Sequence, residues 1–218
     1  MATTIMMMIK EPVVAPNTDP EADATADQII GVLLAAGAGR RAGGPKALRV
    51  DPDGTSWLLR SITVLREGGC DAVVVVLGSE ADRATDVLAS SGFAADPGLT
   101  VVDAPDWQLG MGSSLRCGLL AAQRDPMAAV LVHLVDLPDV TPDVVRRLLR
   151  KVPLGPAVLA RATYGGRPGH PVLIGRDHLP SIMVGLGGDT GAKDYLAQHH
   201  ADGVECGDLA SGQDRDSS

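Results

Sequence analysis

The stretch Ile29-Ile-Gly-Val-Leu-Leu-Ala-Ala-Gly-Ala-Gly-Arg-Arg-Ala-Gly-Gly-Pro-Lys46 joins an apolar run to a glycine-rich loop. The run Ile29–Leu34 predicts a strand buried on both faces, as in a parallel sheet. The loop combines what an anionic ligand needs. Gly37, Gly39, Gly43 and Gly44 let backbone N–H groups approach a phosphate closely. Arg40, Arg41 and Lys46 add positive charge. A loop that follows a buried strand lies at the carboxyl edge of its sheet, where open α/β folds bind ligands.

Outward from this stretch, strands and helices alternate. Helical spacing over Trp57–Arg66 ends at Gly68-Gly69, and the Val-rich run Ala72–Leu77 predicts a second buried strand. A helix over Asp82–Ser90 precedes a short strand at Leu99–Asp103. Ser113 opens a helix that runs to Arg124, and Ala129–Val135 is another buried strand. Thr141 and Pro142 read as the N-cap and first position of a helix that ends at Arg150. Ala157–Ala162 and His170–Ile174 flank Gly165-Gly166 and predict a hairpin. A last helix covers Ala192–His199, and a last strand Gly203–Cys206. The pattern predicts an α/β fold: a mostly parallel sheet with helices on both faces and a late β-hairpin.

Composition narrows the function classes. The 218 residues suffice for one sizeable domain, and 2% aromatic content leaves Val, Leu, Ala and Ile to build the core. Net charge is −8, and it resides in residues 1–28 and 201–218, so the middle of the chain is balanced. No basic stripe of the kind nucleic acid requires is present, and no stretch is long enough to span a membrane. Cys70, Cys117 and Cys206 fit no metal or disulfide spacing; Cys70 and Cys117 read as buried thiols, and the cytoplasm is the expected compartment. Residues 1–28, rich in Pro, Asp, Thr and Ala, read as a disordered extension ahead of a domain over 29–216. His133 lies inside a strand as a satisfied core residue, whereas His178, His199 and His200 read as surface residues.

Two common glycine-rich loops fit less well. Gly37, Gly39 and Ala42 have the spacing of a dinucleotide fingerprint, but Gly43-Gly44-Pro45 follows where a helix must start. Gly39 and Gly44 suit a P-loop, but Pro45 takes the lysine position. Residues 34–46 instead resemble the pattern Leu-Ala-(Ala/Gly)-Gly-x-x-x-Arg-x-Gly-x-Pro-Lys of the nucleotidyltransferase family that includes the molybdenum cofactor cytidylyl- and guanylyltransferases. The resemblance continues through Asp106-Trp-Gln-Leu-Gly-Met-Gly112-Ser113-Ser114-Leu-Arg116, Asp136-Leu-Pro138, Gly165–Pro171, Gly188–Ala192 and Asp214-Arg-Asp216. It implies a single Rossmann-like nucleotidyltransferase domain, Mg²⁺, CTP or another NTP, and a phosphorylated, molybdopterin-like acceptor.

The resemblance also implies roles for individual residues. Leu34, Ala35, Ala36, Gly37, Gly39, Lys46 and Asp106 would contact the nucleotide, with Ala36 pointing to the cytidylyl branch. Arg41 and Lys46 would act on the triphosphate, and Lys46 would stabilise charge on the pyrophosphate leaving group. Asp136 ends a buried strand and, with Asp216, would hold the metal, Asp214 being the alternative. Gly112, Ser113, Ser114, Arg167, His170 and Asp189 would contact the acceptor. The chain departs from the family pattern at Ala104, where Asn is common, at Lys193, where Arg is usual, and at Ser217, where Thr is usual. The segments 43–48, 110–116 and 206–208 are also similar to sequences named nicotine blue oxidoreductase, which would imply a nicotinamide cofactor. Glu80 is then the candidate ribose clamp. A non-catalytic nucleotide-binding or cofactor-binding role is the third alternative.

Overall fold

The structure, a computed structural model, describes residues 28–40, 43–188 and 191–215. Arg41, Asp189 and Asp216, and all of the expected extension except Gln28, lie outside the described residues.

Seven strands form one sheet in the order β3-β2-β1-β4-β6-β5-β7. They are β1 (Ile29–Leu34), β2 (Ala72–Leu77), β3 (Leu99–Asp103), β4 (Ala129–Leu134), β5 (Leu159–Tyr164), β6 (Arg167–Gly175) and β7 (Asp202–Glu205). The helices are α1 (Trp57–Gly68), α2 (Ala81–Ala89), α3 (Met111–Ala122), α4 (Pro142–Lys151), α5 (Leu179–Gly185) and α6 (Lys193–Gln198). Only β6 runs against its neighbours. The expected α/β fold with a mostly parallel sheet is therefore present.

The buried strands are buried because helices cover both faces. All of β1 is buried, and its side chains alternate between two cores. Leu33, Val75 and Leu131 pack with Leu58, Ile62, Leu65 and Leu148 of α1 and α4. Val32, Val76 and Val130 pack with Leu115 and Leu119 of α3 and Ile182 of α5. Gly118 brings α3 close to the sheet: a Cβ there would lie 2.6 Å from Val32 Cγ1.

Local chemistry sets the element ends. The Ser56 side chain accepts a hydrogen bond from Leu59 N at 3.4 Å, and Gly69, with φ 115°, closes α1. Gly165 and Gly166, with φ of 58° and 75°, supply the two left-handed positions of the β5–β6 turn. Thr141 stands at the N-cap of α4, but its side chain makes no capping bond.

Several expectations need correction. Helix α3 begins at Met111 rather than Ser113. The short helix α5, with Pro180 in its first turn, was not anticipated. Cys70 and Cys206 are buried, whereas Cys117 is half-exposed and donates to the Asp103 carbonyl at 3.3 Å. Burial pushes the Cys70 thiol up to about 12. His178 is half-buried, with ring nitrogens 3.0 Å from Tyr195 Oη and 3.0 Å from the Ala157 carbonyl. His133 is fully buried, yet neither ring nitrogen has a hydrogen-bond partner among the described residues. No helix among the described residues is long and apolar enough to cross a membrane.

Candidate functional site

Strands β1 and β4 are parallel neighbours in register from Ile29 and Ala129 to Leu34 and Leu134, so both chains leave the sheet side by side. A cavity of about 490 Å³ opens at that edge, lined by residues 34–40, Lys46, the start of α3 and residues 134–136. The backbone between Leu34 and Gly37 is held in place: Ala35 N donates to the Val76 carbonyl at 2.9 Å, and Ser79 N to the Ala36 carbonyl at 2.9 Å. Gly44 N then donates to the Gly39 carbonyl at 3.1 Å, curling the loop back. Gly39 has φ 56°, and a Cβ there would lie 1.9 Å from the Gly44 carbonyl oxygen, so no other residue fits this curl. Gly37 differs, because a Cβ there would meet nothing within 4 Å.

Lys46 starts a 3-10 turn that the neighbouring Ala47 anchors in the core. Its Nζ lies 2.5 Å from Asp136 Oδ2, with side-chain exposures of 17% and 14%. Asp136 Oδ1 is buried and has no partner among the described residues. The C-terminal segment returns to this point, where Arg215 N donates to the Asp136 carbonyl at 3.0 Å. Asp216, the next residue, lies outside the described residues. Among the described residues no group of three or more His, Cys, Asp or Glu could hold a metal ion, so any ion here takes further ligands from elsewhere.

The first turn of α3 supplies another wall. Gly110, Met111 and Ser114 line the cavity, and Trp107 and Gln108 precede them. Gly112 is buried against the segment before Asp189, with Gly112 N donating to the Gly188 carbonyl at 3.0 Å. Arg116 Nη2 ties the same segment down through the Leu186 carbonyl at 3.1 Å. Ser113 lies within the first turn as a half-buried residue, and Asp106 is exposed and outside the cavity lining.

A second cavity, of about 70 Å³, adjoins the first and shares Leu34 and Met111 with it. His170 lines it together with Arg161 and Lys193. Burial, and then the Arg161 charge, lower His170 to about 4 against the opposing pull of Asp136, so its ring is neutral near pH 7. Arg167 is exposed at the start of β6 and lines neither cavity.

The structure thus brings Leu34, Ala35, Ala36, Gly37, Gly39, Lys46, Ser114 and Asp136 around one cavity and His170 into its neighbour. It keeps Asp106 and Arg167 apart from both. Glu80, the candidate ribose clamp, is the exposed residue before α2, pairs with Arg83 at 3.3 Å and lies outside the cavity lining. Sequence reading passed over Arg161, Trp107, Gln108 and Met111. Trp107 carried a signal, being one of only two tryptophans in the chain. Arg161 carried another, as a lone charge within the run Ala157–Ala162.

The chain is 37% identical over 198 residues to the nicotine blue oxidoreductase of Paenarthrobacter nicotinovorans, covering 86% of this chain and 92% of that protein. It is 35% identical over 115 residues to a probable molybdenum cofactor guanylyltransferase of Rhodopirellula baltica, covering 53% of this chain and 51% of that protein. Among solved structures, Rv0371c from Mycobacterium tuberculosis H37Rv matches with a TM-score of 0.67 and 29% identity over 84% of this chain and 89% of that one. A structure of the same protein in complex with manganese matches with a TM-score of 0.61, covering 82% of this chain and 87% of that one. The model of the MobA-like NTP transferase domain matches residues 31–203. With that match over most of its length, the chain belongs to the MobA-like NTP transferase family and is a nucleotidyltransferase.

Proposed function

We propose that this nucleotidyltransferase moves CMP from CTP to a phosphorylated acceptor of the molybdopterin type and releases pyrophosphate. The observation that carries this reading is the Lys46–Asp136 pair on a glycine-lined cavity at the carboxyl edge of β1 and β4. Loop amides from Ala35 to Gly39, with Arg40 and Arg41, hold the triphosphate. Lys46 sits where negative charge builds on the leaving pyrophosphate. An acceptor phosphate oxygen attacks the α-phosphorus, and the bond from that phosphorus to the β-phosphate bridge breaks. The attacking oxygen is already anionic near neutral pH, so no strong base is required. Positioning and charge therefore account for the catalysis. Ala36 supports cytosine over guanine, and GTP is the competitor.

The residues fit a hard divalent cation, for which we propose Mg²⁺. Asp136 offers a buried carboxylate oxygen with no partner among the described residues, and such an acceptor calls for an ion or water. Asp216 would be the second carboxylate. Bound there, the cation supplies positive charge to the triphosphate oxygens. Ser113, Ser114, Gly112, His170, Arg167 and Asp189 stand as acceptor contacts in this proposal, and Asp106 as a nucleotide contact. A cytoplasmic location and the absence of a nucleic-acid partner belong to it as well.

The test is transfer of label from α-labelled CTP or GTP to molybdopterin in the presence of Mg²⁺. CTP is expected to outperform GTP, and Asp136→Asn and Lys46→Ala are each expected to cost about 10²–10³-fold in kcat. Undiminished transfer by Asp136→Asn would overturn the assignment. The similarity to the nicotine blue oxidoreductase supports a second reading, hydride transfer from NAD(P)H, for which cofactor oxidation without any nucleotidyl product is the distinguishing result.

A further inference from the structure

On the reading above, the larger cavity takes the nucleotide, which leaves the adjoining cavity of about 70 Å³, lined by His170, to the acceptor. Strand alternation puts Arg161, His170, Val172 and Ile174 on one face of the β5–β6 pair, where α6 covers them with Leu196 and Lys193. Arg161 is half-buried in this position, opposite Val172 in the strand register. Its guanidinium makes two long hydrogen bonds, of 3.4 and 3.3 Å, to a single carbonyl, that of Gly169. It forms no ion pair with a carboxylate of the described residues.

This arrangement is costly unless an anion completes it. A guanidinium carries five N–H donors in a fixed fork, and burial without a counter-charge penalises the charged form. Burial accordingly lowers the Arg161 pKa. Among the described residues the rest of the lining supplies no anion: Val132, Val172, Ile174 and Leu196 are apolar, Lys193 is a second cation and His170 is neutral near pH 7. A neutral imidazole adds one N–H donor without repelling an anion further. We propose that this cavity binds the phosphate group of the acceptor, with Arg161 as its fixed counter-charge, His170 as a neutral donor and Lys193 at its mouth.

Size and position support that assignment. The cavity has room for a small ligand such as a tetrahedral oxyanion. The shared Leu34 and Met111 put this phosphate next to the nucleotide. Arg is suited to the task because its fork meets a phosphate with two parallel hydrogen bonds. Arg161, which lines this cavity where Arg167 does not, is thus the cation assigned to the acceptor's phosphate.

Inorganic phosphate is the probe, titrated into the full chain by calorimetry with and without Mg²⁺ and α,β-methylene-CTP. The expected result is phosphate binding that persists with the nucleotide analogue present, weakens at least tenfold in Arg161→Gln and recovers in part in Arg161→Lys. Lys193→Gln, on an exposed helix position, serves as the second variant and is expected to weaken phosphate two- to fivefold. Far-ultraviolet circular dichroism confirms that each variant is folded. Phosphate affinity unchanged in Arg161→Gln would overturn the proposal, as would phosphate that binds only when the nucleotide analogue is absent. A failure of the nucleotidyl-transfer reading shows separately, as an analogue that does not bind while the dependence of phosphate on Arg161 remains.

Discussion

Gly37 and Gly39 stand two residues apart in the same loop, and a side chain would meet open space at the first and backbone at the second. Gly39 is required by the fold of the loop, with φ 56° and no room for a Cβ beside Gly44. Gly37 is not, because its Cβ position is open. Gly39→Ala is therefore expected to displace the loop and weaken CTP binding at least tenfold. Gly37→Ala should leave the melting temperature unchanged and act only on CTP affinity, through the methyl it projects beside the cavity. Parallel melts and CTP titrations check both, and equal loss of stability in the two variants would contradict the distinction. His133 gives a second residue-scale case. Burial, and then the charges of His170 and Arg60, lower its pKa from 6.5 to about 3. The unfolded chain takes up a proton near pH 6.5 and the native chain does not until about pH 3, so between these values the unfolded state binds more protons. Stability then falls as pH falls, by up to about 1.4 kcal/mol per unit from this residue alone. His133→Leu removes that dependence and two partnerless ring nitrogens together, so the variant is expected to gain on the wild type steadily from pH 7 to pH 4.5 in thermal melts. A variant less stable at every pH would show that those nitrogens are paired through buried water.

At the scale of elements, what was legible was what is encoded locally. Gly165-Gly166 gave the hairpin because a two-residue turn needs two left-handed positions. Gly68-Gly69 gave the end of α1 because a left-handed C-cap acts on adjacent backbone, whereas the Ser56 N-cap was not read. The start of α3 was not legible: Gly112 is a poor helix former, and the bond from its N–H to the Gly188 carbonyl depends on a segment distant in sequence. Helix α5 has only 7 residues, too few for its spacing to stand out. The C-terminal segment was read for Asp214 and Asp216 alone, and its anchoring was missed. Ser211 N donates to Asp139 Oδ2 at 2.6 Å, and Arg215 Nη1 meets Asp51 Oδ1 at 2.9 Å while lying over the Trp57 ring. Asp51 in turn accepts from Trp57 Nε1 at 2.9 Å and pairs with Arg60. Arg215→Ala is expected to cost no more than about 1 kcal/mol, since the Arg215 side chain is half-exposed. Its larger effect should be on the metal: the Mg²⁺ concentration that gives half-maximal transfer should rise several-fold as the residue before Asp216 loses its tether. An unchanged Mg²⁺ requirement would mean that this segment contributes no ligand.

For the whole molecule, the sequence displayed the parallel class of the sheet through its Val-rich runs, but not the strand order. Order depends on pairing between distant segments, and nothing in Ile29–Leu34 announces that Ala72–Leu77 and Ala129–Leu134 lie on either side of it. That placement creates the site. The chain leaves β1 toward β2 on one side and its neighbour β4 toward β5 on the other, and a crevice opens at the carboxyl ends of this adjacent pair. The reversed strand β6 then closes one side of the crevice and carries His170 toward it. Because loop, metal-side carboxylate and acceptor side all hang from this one sheet, a ligand bound in the crevice should stabilise the whole fold. A nucleotide at about 100 times its Kd adds about 2.7 kcal/mol, which for a chain of this size raises Tm by about 5–11 °C. The expected outcome is a rise of this order with CTP and Mg²⁺, a smaller one with GTP, and none with CTP in Asp136→Ala. NADH and NADPH should produce no shift, since Glu80 lies outside the cavity and its position before α2 is taken up by the pair with Arg83. A metal-independent rise with NADPH alone would overturn the cytidylyl reading and make the family resemblance one of fold, with the same sheet edge serving a hydride carrier instead of a triphosphate.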